Sequence, residues 1–209
     1  MICDMEEKHA AVVAELHCRY LNGLLADLGK NVAKIFYEVA SASEKGFGYV
    51  YMEDGQVLGF VFATVDHPGL YREVMRRGNV RLLSSAFFAL LRNPRLIKEA
   101  ISHLRSGHRP SSPELSYIAV EERERGRGIG GALIERLNEG FRRRDIHYYE
   151  LSVDRDNRIA RRFYEDRSFV LRYEFSECGL LRCRYYRKLE WVNISSKSDT
   201  VHRRGKGLS

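Results

Sequence analysis

The sequence predicts one α/β domain whose central sheet is interrupted by a helical insertion. Near the N-terminus, apolar residues recur every three or four positions, which is typical of amphipathic helices. Around residue 48 the period changes to the alternation of strands, and a helical pattern returns at about residues 70–110. The chain of 209 residues is 44% hydrophobic, which suits a single domain with a core, and we assign residues 1–192 to that domain.

Two helices and a hairpin are predicted before the insertion. Residues 6–21 and residues 32–42 both place apolar side chains at helical spacing. The stretch GYVYMEDGQVLGFVFATV follows, with Asp54-Gly55 between two runs of alternating apolar residues. An Asp-Gly pair in that setting is a strong hairpin signal, so two antiparallel strands are predicted there.

The insertion is predicted from its length and its periodicity. Residues 66–113 separate the second hairpin strand from the next strand, and a loop of that length without secondary structure is uncommon. Residues 80–91 are strongly apolar and residues 95–104 carry an apolar face, so both are predicted as helices. Residues 70–110 hold nine Lys/Arg against two Asp/Glu. The basic residues 193–209 show no periodicity and are predicted to be a disordered tail.

After the insertion, strands and helices alternate. The sequence predicts a strand, a helix, a strand and a helix, and then two closing strands. These six elements lie at residues 115–120, 130–144, 148–153, 157–166, 169–175 and 184–189.

Composition narrows the classes of function. The net charge of +7 suggests an anionic partner, but no basic motif is interleaved with base-stacking aromatics, which disfavours nucleic acid. The four cysteines form no CxxC pair and no Cys/His cluster at zinc spacing, so no metal is expected. No apolar run approaches the roughly 18 residues of a membrane span. Because the N-terminus also lacks a secretory signal pattern, we expect a cytoplasmic protein without membrane contact.

A glycine-rich turn is the most informative motif. A strand ends at Val120, and five residues later the run RGRGIGG opens a helix. Glycines let the backbone approach a ligand, and the free N–H groups of a first helical turn favour phosphate. Three of the glycines also fit a dinucleotide-binding turn, although the turn comes late in the chain and lacks the expected acidic residue downstream. A turn that only packs is the third interpretation. The run comprises Arg125, Gly126, Arg127, Gly128, Ile129, Gly130 and Gly131.

Two ordered blocks of the sequence resemble the GNAT superfamily of acyl-CoA-dependent N-acetyltransferases. The first block is the strand that ends at Val120 together with the Arg-x-x-Gly-x-Gly turn that begins at Arg125. The resemblance covers most of residues 1–190 in element order and leaves out the insertion and the tail. The second block has the N-x-x-A-x-x-F-Y spacing of Asn157, Ala160, Phe163 and Tyr164.

The resemblance implies a mixed, mostly antiparallel central sheet flanked by helices. It also implies an enzyme that transfers the acetyl group of acetyl-CoA to a primary amine of a small-molecule or peptide acceptor. In such enzymes the pyrophosphate of coenzyme A lies on the glycine turn, and the pantetheine arm pairs with the end of the preceding strand. The implied acetyl-CoA-binding residues are Ile118, Ala119, Val120, Arg125, Gly126, Arg127, Gly128, Ile129, Gly130, Gly131, Asn157 and Tyr164.

The resemblance further implies catalytic residues. Tyr164 lies where family members place a tyrosine near the thioester sulfur, so we expect it to act as general acid. The alternative for Tyr164 is an ordinary aromatic that packs beside Phe163 on an amphipathic helix. Glu114 precedes the glycine turn at the spacing of the glutamate base in the histone-acetylating branch. The alternative for Glu114 is a solvated residue at a loop end, and Tyr117, Glu150 and His67 are further candidates for the base.

The sequence also allows a second interpretation of the function, several roles for the insertion and an altered turn at Ser168. The alternative function is a non-catalytic module of the same fold that holds an anionic partner, such as nucleic acid, on its basic insertion. The apolar middle of the insertion either packs on the domain, accepts a substrate or contacts a second copy in a homodimer. Ser168 stands where the family usually has a glycine in a left-handed turn, so we expect a slightly altered turn there.

Overall fold

The computed structural model describes residues 1–92, 113–177 and 179–190. Its centre is a seven-stranded sheet in the order β1-β2-β3-β4-β5-β7-β6, with helices packed on both faces. Neighbouring strands are antiparallel except for the parallel pair of β4 and β5. This confirms the mixed, mostly antiparallel sheet. The strands are β1 (Ile2–Asp4), β2 (Gly46–Glu53), β3 (Gln56–Thr64), β4 (Glu114–Val120), β5 (Tyr148–Asp154), β6 (Val170–Glu177) and β7 (Leu180–Lys188).

The helices of the described ranges form two layers, one on each face of the sheet. Val13, Phe36 and Leu70 bury the apolar sides of α1, α3 and α4 on one face, while Leu133 and Tyr164 bury those of α5 and α6 on the other. None of these helices is long and apolar enough to cross a membrane. They are α1 (Ala10–Tyr20), α2 (Leu24–Asp27), α3 (Lys30–Ser41), α4 (His67–Arg92), α5 (Ile129–Arg142) and α6 (Arg158–Glu165).

Most of the predicted elements form close to their predicted bounds. Asp54 and Gly55 make the hairpin turn between β2 and β3 with φ of 49° and 75°, as a primed turn requires. The sequence pattern does not predict β1 and α2, because three and four residues are too short to show a period. Antiparallel pairing of Ile2 with Tyr51 holds β1 on the sheet, and such a long-range contact leaves no local signal.

The described part of the insertion is one continuous helix, α4. It begins at His67 and its N-terminus is capped by Asp66, whose Oδ1 accepts the N–H of Gly69 at 2.9 Å. This confirms a helical insertion and places its start three residues earlier than predicted. The predicted helix over residues 95–104 and the predicted tail over residues 193–209 lie outside the described residues.

An irregularity in β4 decides which of its side chains share a face. The register between β3 and β4 shifts by one residue, so that Ser116 is an extra residue on β4. Tyr117 therefore projects to the same face as Glu114, the face that α1, α3 and α4 cover. Leu115 and Ile118 project to the opposite face, beneath α5.

Candidate active site

β4 and β5 separate after one pair of residues, which opens a slot in the sheet. Within the described chain their pairing consists of Glu114 opposite Glu150, and the Glu150 N–H donates to the Pro113 carbonyl at 2.9 Å. Beyond that pair, β4 bonds to β3 and β5 bonds to β7. The backbone groups of residues 118–120 that face β5 are therefore left without a strand partner, as pairing with an extended ligand requires.

A buried polar atom marks the beginning of the slot. The Ser116 hydroxyl is buried without a hydrogen-bond partner among the described residues. Leaving a buried hydroxyl unpaired costs about 1–3 kcal/mol. A polar ligand group in the slot would recover that cost, so the orphaned hydroxyl fits a ligand-binding role for this part of the sheet.

The glycine turn presents a row of N–H groups beyond the end of β4. Gly126 and Gly128 have φ of 83° and 82°, the left-handed region that favours glycine, and Gly128 caps α5. The Ala132 N–H donates to the Gly128 carbonyl at 3.0 Å, which is the first bond of α5. No acceptor in the described part of the chain binds the N–H groups of residues 126–131. Together with the positive end of α5, these groups are suited to bind an anion.

The glycines of the turn serve two purposes. A Cβ at Gly126 or Gly128 would meet nothing within 4 Å, so both positions are open. A Cβ at Gly130 would lie 3.2 Å from the ring of Phe163 on α6. A Cβ at Gly131 would lie 3.0 Å from a guanidinium nitrogen of Arg167, which follows α6. Packing of α5 on α6 therefore explains Gly130 and Gly131, whereas the open pair is free for a ligand.

Both predicted phosphate-binding arginines contact the protein itself in this structure. The Arg125 Nε donates to the Val120 carbonyl at 3.3 Å. The Arg127 guanidinium pairs with Glu53 at 2.9 Å and also with Glu124. A phosphate at the turn would therefore compete with two carboxylates for Arg127.

Tyr164 lies beneath the slot, in the core that also contains Ile118 of β4. Its ring is 7% exposed and packs edge-on against Phe163 and Phe169, with 5.3 Å between ring centroids in each case. Burial raises the pKa of Tyr164 well above its ordinary value. The phenol carries its proton at neutral pH, as an ordinary tyrosine does, and its raised pKa makes it a weaker acid than a solvated tyrosine.

The ends of α6 test two local predictions. Asn157 caps its N-terminus as predicted, since the side-chain Oδ1 accepts the Ala160 N–H at 3.0 Å. Ser168 follows its C-terminus with φ of 63°, so the serine takes the left-handed conformation that glycine usually provides there. Both residues thus hold the helix that carries Tyr164.

Arg184 on β7 connects the two strands of the slot. Its side chain is 2% exposed, and its Nη1 donates to Glu114 at 2.8 Å and to Ser152 at 2.7 Å. Its Nε donates to Glu150 at 2.7 Å. Glu114 is 8% exposed, so its interpretation as a solvated loop-end residue is wrong. The bulge in β4 turns its side chain onto the covered face of the sheet.

Glu150 is the more heavily bonded of the two carboxylates. It accepts hydrogen bonds from Arg184, from Tyr148 on its own strand and from Arg172 on β6. No group of three or more His, Cys, Asp or Glu side chains within the described ranges is placed to hold a metal ion. The charge of these carboxylates is balanced by arginine.

The two carboxylates differ in their affinity for a proton. Burial raises the pKa of Glu114, and Arg184 opposes that rise. Burial alone would also raise the pKa of Glu150, but hydrogen bonds from Tyr148 and Arg184 lower it below its ordinary value. Glu114 is therefore the carboxylate that more readily accepts a proton, and Glu150 stays ionised.

Sequence reasoning missed Arg184, although a signal exists. In β5, Glu150 and Ser152 alternate with apolar residues, and in β7, Arg182 and Arg184 do the same. The register places Ser152 opposite Arg184, so both polar rows lie on one face. Strand order was the missing information, because β7 inserts between β5 and β6.

The other candidate bases lie on the same face as Glu114. His67 begins α4 with its ring 4.6 Å from that of Tyr71, and burial together with the charge of Arg184 lowers the pKa of His67 to about 4. The hydroxyls of Tyr71 and Tyr117 are 3.5 Å apart. Burial raises the pKa of Tyr117 well above its ordinary value, and the charge of Glu114 adds to the rise. The insertion thus places two of its side chains beside the slot.

The sequence matches the acetyltransferase (GNAT) family over residues 13–169. That range contains β4, the glycine turn, β5 and α6, which form most of the site. No curated protein sequence is significantly similar to the chain.

Solved structures of acetyltransferases are similar to this fold. An N-acetyltransferase from Staphylococcus aureus has a TM-score of 0.60 at 14% identity, covering 91% of this chain and 98% of that one. A ribosomal-protein-alanine N-acetyltransferase from Brucella melitensis has a TM-score of 0.60 at 14% identity, covering 90% and 99%. An acetyltransferase of the GNAT family from Streptococcus pneumoniae has a TM-score of 0.58 at 18% identity, covering 91% and 99%. At these identities the likeness is one of fold.

Proposed function

The chain belongs to the acetyltransferase (GNAT) family, and we propose that it transfers the acetyl group of acetyl-CoA to a primary amine by direct attack on the thioester. The observation that supports this most is the slot between β4 and β5, which leads to the unpaired N–H groups of the glycine turn. An extended ligand with a phosphate at one end fits both features.

Different residues of the slot and of the glycine turn are proposed to bind different parts of acetyl-CoA. We propose that the free N–H groups of residues 126–131 hold the pyrophosphate, together with the side chains of Arg125 and of Arg127, the latter released from Glu53 and Glu124. The backbone of residues 118–120 would pair with the pantetheine arm. Asn157 caps α6 beside the end of β5 and is proposed as a further contact to that arm. Bound acetyl-CoA supplies the thioester that the amine attacks.

Tyr164 is proposed as the general acid. Its phenol carries a proton at neutral pH that it can give to the leaving sulfur, and burial, which raises its pKa, makes it a weaker acid than a solvated tyrosine. It lies in the core that lines the slot on the α5 side. A proton from Tyr164 to the leaving sulfur would prevent return of the thiolate to the acetyl carbon.

Glu114 is proposed as the general base. Arg184 binds its Oε1, and within the described chain no hydrogen bond reaches its Oε2, so that oxygen can accept a proton from the amine or from a water. Because burial raises its pKa, Glu114 is a stronger base than a solvated carboxylate, while Arg184 opposes that rise. Tyr117, Glu150 and His67 remain the alternatives, and full turnover in Glu114→Gln would favour one of them.

The acceptor is proposed to be a small-molecule or peptide amine that enters on the face of Glu114. His67 and Tyr71 of α4 lie at that entrance, so the insertion is expected to help select the acceptor. A homodimer is also proposed, because Leu83, Phe87 and Leu91 of α4 are exposed apolar side chains. Sedimentation equilibrium tests the dimer independently of activity.

A panel of amines tests the proposed reaction. The protein is incubated with acetyl-CoA and polyamines, amino sugars, lysine peptides or peptides that begin with alanine, and thiol release and acetylated product are measured. We expect release that depends on one class of amine and stops in Glu114→Gln. Failure of every amine, together with salt-sensitive binding of a nucleic-acid probe, would favour the non-catalytic alternative.

A further inference from the structure

We propose that Arg184 is a positioning residue, which fixes the separation of β4 and β5 where the slot begins and holds Glu114 in place. This inference rests on the proposed function, because it concerns the slot assigned to acetyl-CoA. Arg184 itself is not expected to touch the substrate, since it acts through Glu114 and Glu150.

The side chain of Arg184 joins three strands. Arg184 sits on β7 opposite Ser152 of β5, and its side chain runs across β5 to reach β4. One buried guanidinium therefore bonds to side chains on two strands besides its own, at distances between 2.7 and 2.8 Å. No other pairing of charged side chains in the described chain joins β4 to β5.

The backbone pairing between two of these strands, β4 and β5, is short. In the described chain, β4 and β5 share the single pair of Glu114 and Glu150, whereas the other neighbours in the sheet pair over three or more residues. One pair gives little resistance to further opening or sliding. The bonds from Arg184 supply the cross-strand connection that a longer ladder would otherwise give.

Arg184 also balances the charges of Glu114 and Glu150. The two residues of that single pair are both carboxylates, and both are buried, with 8% of Glu114 and 3% of Glu150 exposed. Like charges directly opposite on neighbouring strands repel, and an uncompensated buried charge is strongly destabilising. Arg184 neutralises this repulsion where the strands begin to part. Removing it would widen the slot or protonate Glu114.

Several charged or titratable groups face Glu114 and affect how readily it is protonated. Arg184 and Arg182 come from β7, Glu177 from β6 and Glu150 from β5. Tyr117 comes from β4 itself, and Tyr71 and His67 come from α4. Arg184 is the nearest cation, so its loss is expected to make Glu114 easier to protonate. The acid limb of the kcat profile would then move to higher pH, because a base must be unprotonated to act.

The test compares Arg184→Met with Arg184→Lys and with the control Arg182→Met. Arg182 lies on the same face of β7 but pairs with Asp154 and Glu177 and does not bond to Glu114. We expect Arg184→Met to bind acetyl-CoA about tenfold more weakly, a change of roughly 1.4 kcal/mol. Its acid limb should rise by about one pH unit. Arg184→Lys should recover part of both losses. Arg182→Met should bind acetyl-CoA within about twofold of wild type, and its acid limb should rise less than that of Arg184→Met, because Arg182 lowers the pKa of Glu114 without bonding to it.

Hydrogen exchange measures the opening of the β4–β5 pair without any ligand. The Glu150 amide donates to Pro113 across β4 and β5, so its hydrogen exchange reports their separation. We expect faster exchange at Glu150 in Arg184→Met, and an unchanged rate in Arg182→Met. If Arg184→Met does not fold, the exchange rate at Glu150 is compared between Arg184→Lys and Arg182→Met instead.

The outcomes separate the two proposals. A wild type that binds no acetyl-CoA would overturn the proposed function, while faster Glu150 exchange in the Arg184 variant would still support its role in the strand pair. Wild-type exchange, affinity and pH profile in a folded Arg184→Met or Arg184→Lys would overturn the inference. Restoration of acetyl-CoA affinity in the triple variant Glu114→Gln, Glu150→Gln, Arg184→Met would further support charge balance as the cause.

Discussion

At the residue scale, burial sets the proton affinity of the two side chains proposed as acid and base. Tyr164 is buried among aromatic rings, which raises its pKa, so the phenol holds its proton more firmly than a solvated tyrosine does. Burial also raises the pKa of Glu114, and Arg184 opposes that rise. In the proposed reaction Tyr164 gives a proton to the leaving sulfur and Glu114 takes one from the amine.

Substitution of Tyr164 tests its role as acid. Tyr164→Phe keeps the ring that packs on Phe163 and Phe169 and removes only the hydroxyl. We expect kcat to fall about 100-fold with little change in acetyl-CoA affinity. Tyr173→Phe on β6 is the control, and its kcat should match wild type. Wild-type turnover in Tyr164→Phe would exclude the hydroxyl from proton transfer.

His17 makes stability depend on pH. It is 1% exposed and lies 2.8 Å from the Tyr37 hydroxyl, and burial lowers its pKa to about 4. Between pH 6.5 and pH 4 the unfolded chain therefore binds a proton that the folded chain does not. We expect wild type to lose about 3 kcal/mol more unfolding free energy than His17→Asn as the pH falls through that range. Urea unfolding at pH 7 and pH 4 measures this, and equal losses would contradict it.

Arg127 offers a test of competition at the glycine turn. Its guanidinium pairs with Glu53, and both side chains are partly exposed. Glu53→Gln should release Arg127 toward a phosphate and strengthen acetyl-CoA binding about two- to fivefold, because exposed pairs contribute at most about 1 kcal/mol. Calorimetry at low salt measures the gain. Lys8→Gln, a substitution in another exposed pair, should leave the affinity unchanged.

Single residues were predictable where their signal is local. The spacing of Asn157 and Tyr164 and the glycines before α5 are short-range patterns, and the structure places the cap and the free N–H groups where those patterns predict them. The burial of Glu114 was not predictable in this way. It follows from a bulge in β4 and from Arg184, which lies 70 positions away in the chain.

At the element scale, the split between β4 and β5 is the feature that turns a sheet into a binding slot. β4 keeps its bonds to β3, and its other edge is open beyond Ser116. The same edge would be a liability in an isolated sheet, because unpaired strand edges bind other chains. A ligand that adds an extended segment satisfies those groups.

Hydrogen exchange with and without acetyl-CoA tests this role of β4. We expect the amides of residues 118–120 that face β5 and those of residues 126–131 to exchange more slowly in the complex, because both sets would gain acceptors. Amides of β2 should not change, since they are already paired with β1 and β3. Protection confined to other surfaces would place the ligand elsewhere.

Elements were predictable in proportion to their length and periodicity. The hairpin and the long helices carry enough residues to show a period, and α4 follows the same rule. β1 and α2 are too short, and their positions depend on contacts with β2, α1 and α3. The order in which β7 precedes β6 in the sheet also depends on long-range pairing.

At the scale of the whole molecule, the fold is retained while most of the sequence differs. Solved acetyltransferases at 14–18% identity cover at least 90% of this chain. In this chain α4 brings His67 and Tyr71 to the face of Glu114. Selection of the acceptor is therefore expected to depend on α4, while acetyl-CoA binding is proposed to depend on the slot and the glycine turn.

Replacing side chains of α4 separates these two roles. His67→Ala and Tyr71→Phe remove groups beside Glu114 without touching the glycine turn. We expect KM for the amine to rise about tenfold while the affinity for acetyl-CoA stays within about twofold of wild type. Parallel loss of acetyl-CoA affinity would show that α4 supports the slot instead.

Calorimetric titration of acetyl-CoA into wild type, Gly128→Ala and Gly55→Ala tests the central claim most directly. Both glycines have positive φ and open space around them, so the two substitutions carry similar backbone strain. We expect binding by wild type and Gly55→Ala, and at least about tenfold weaker binding by Gly128→Ala. Equal affinities in the two variants, or no binding by folded wild type, would contradict it.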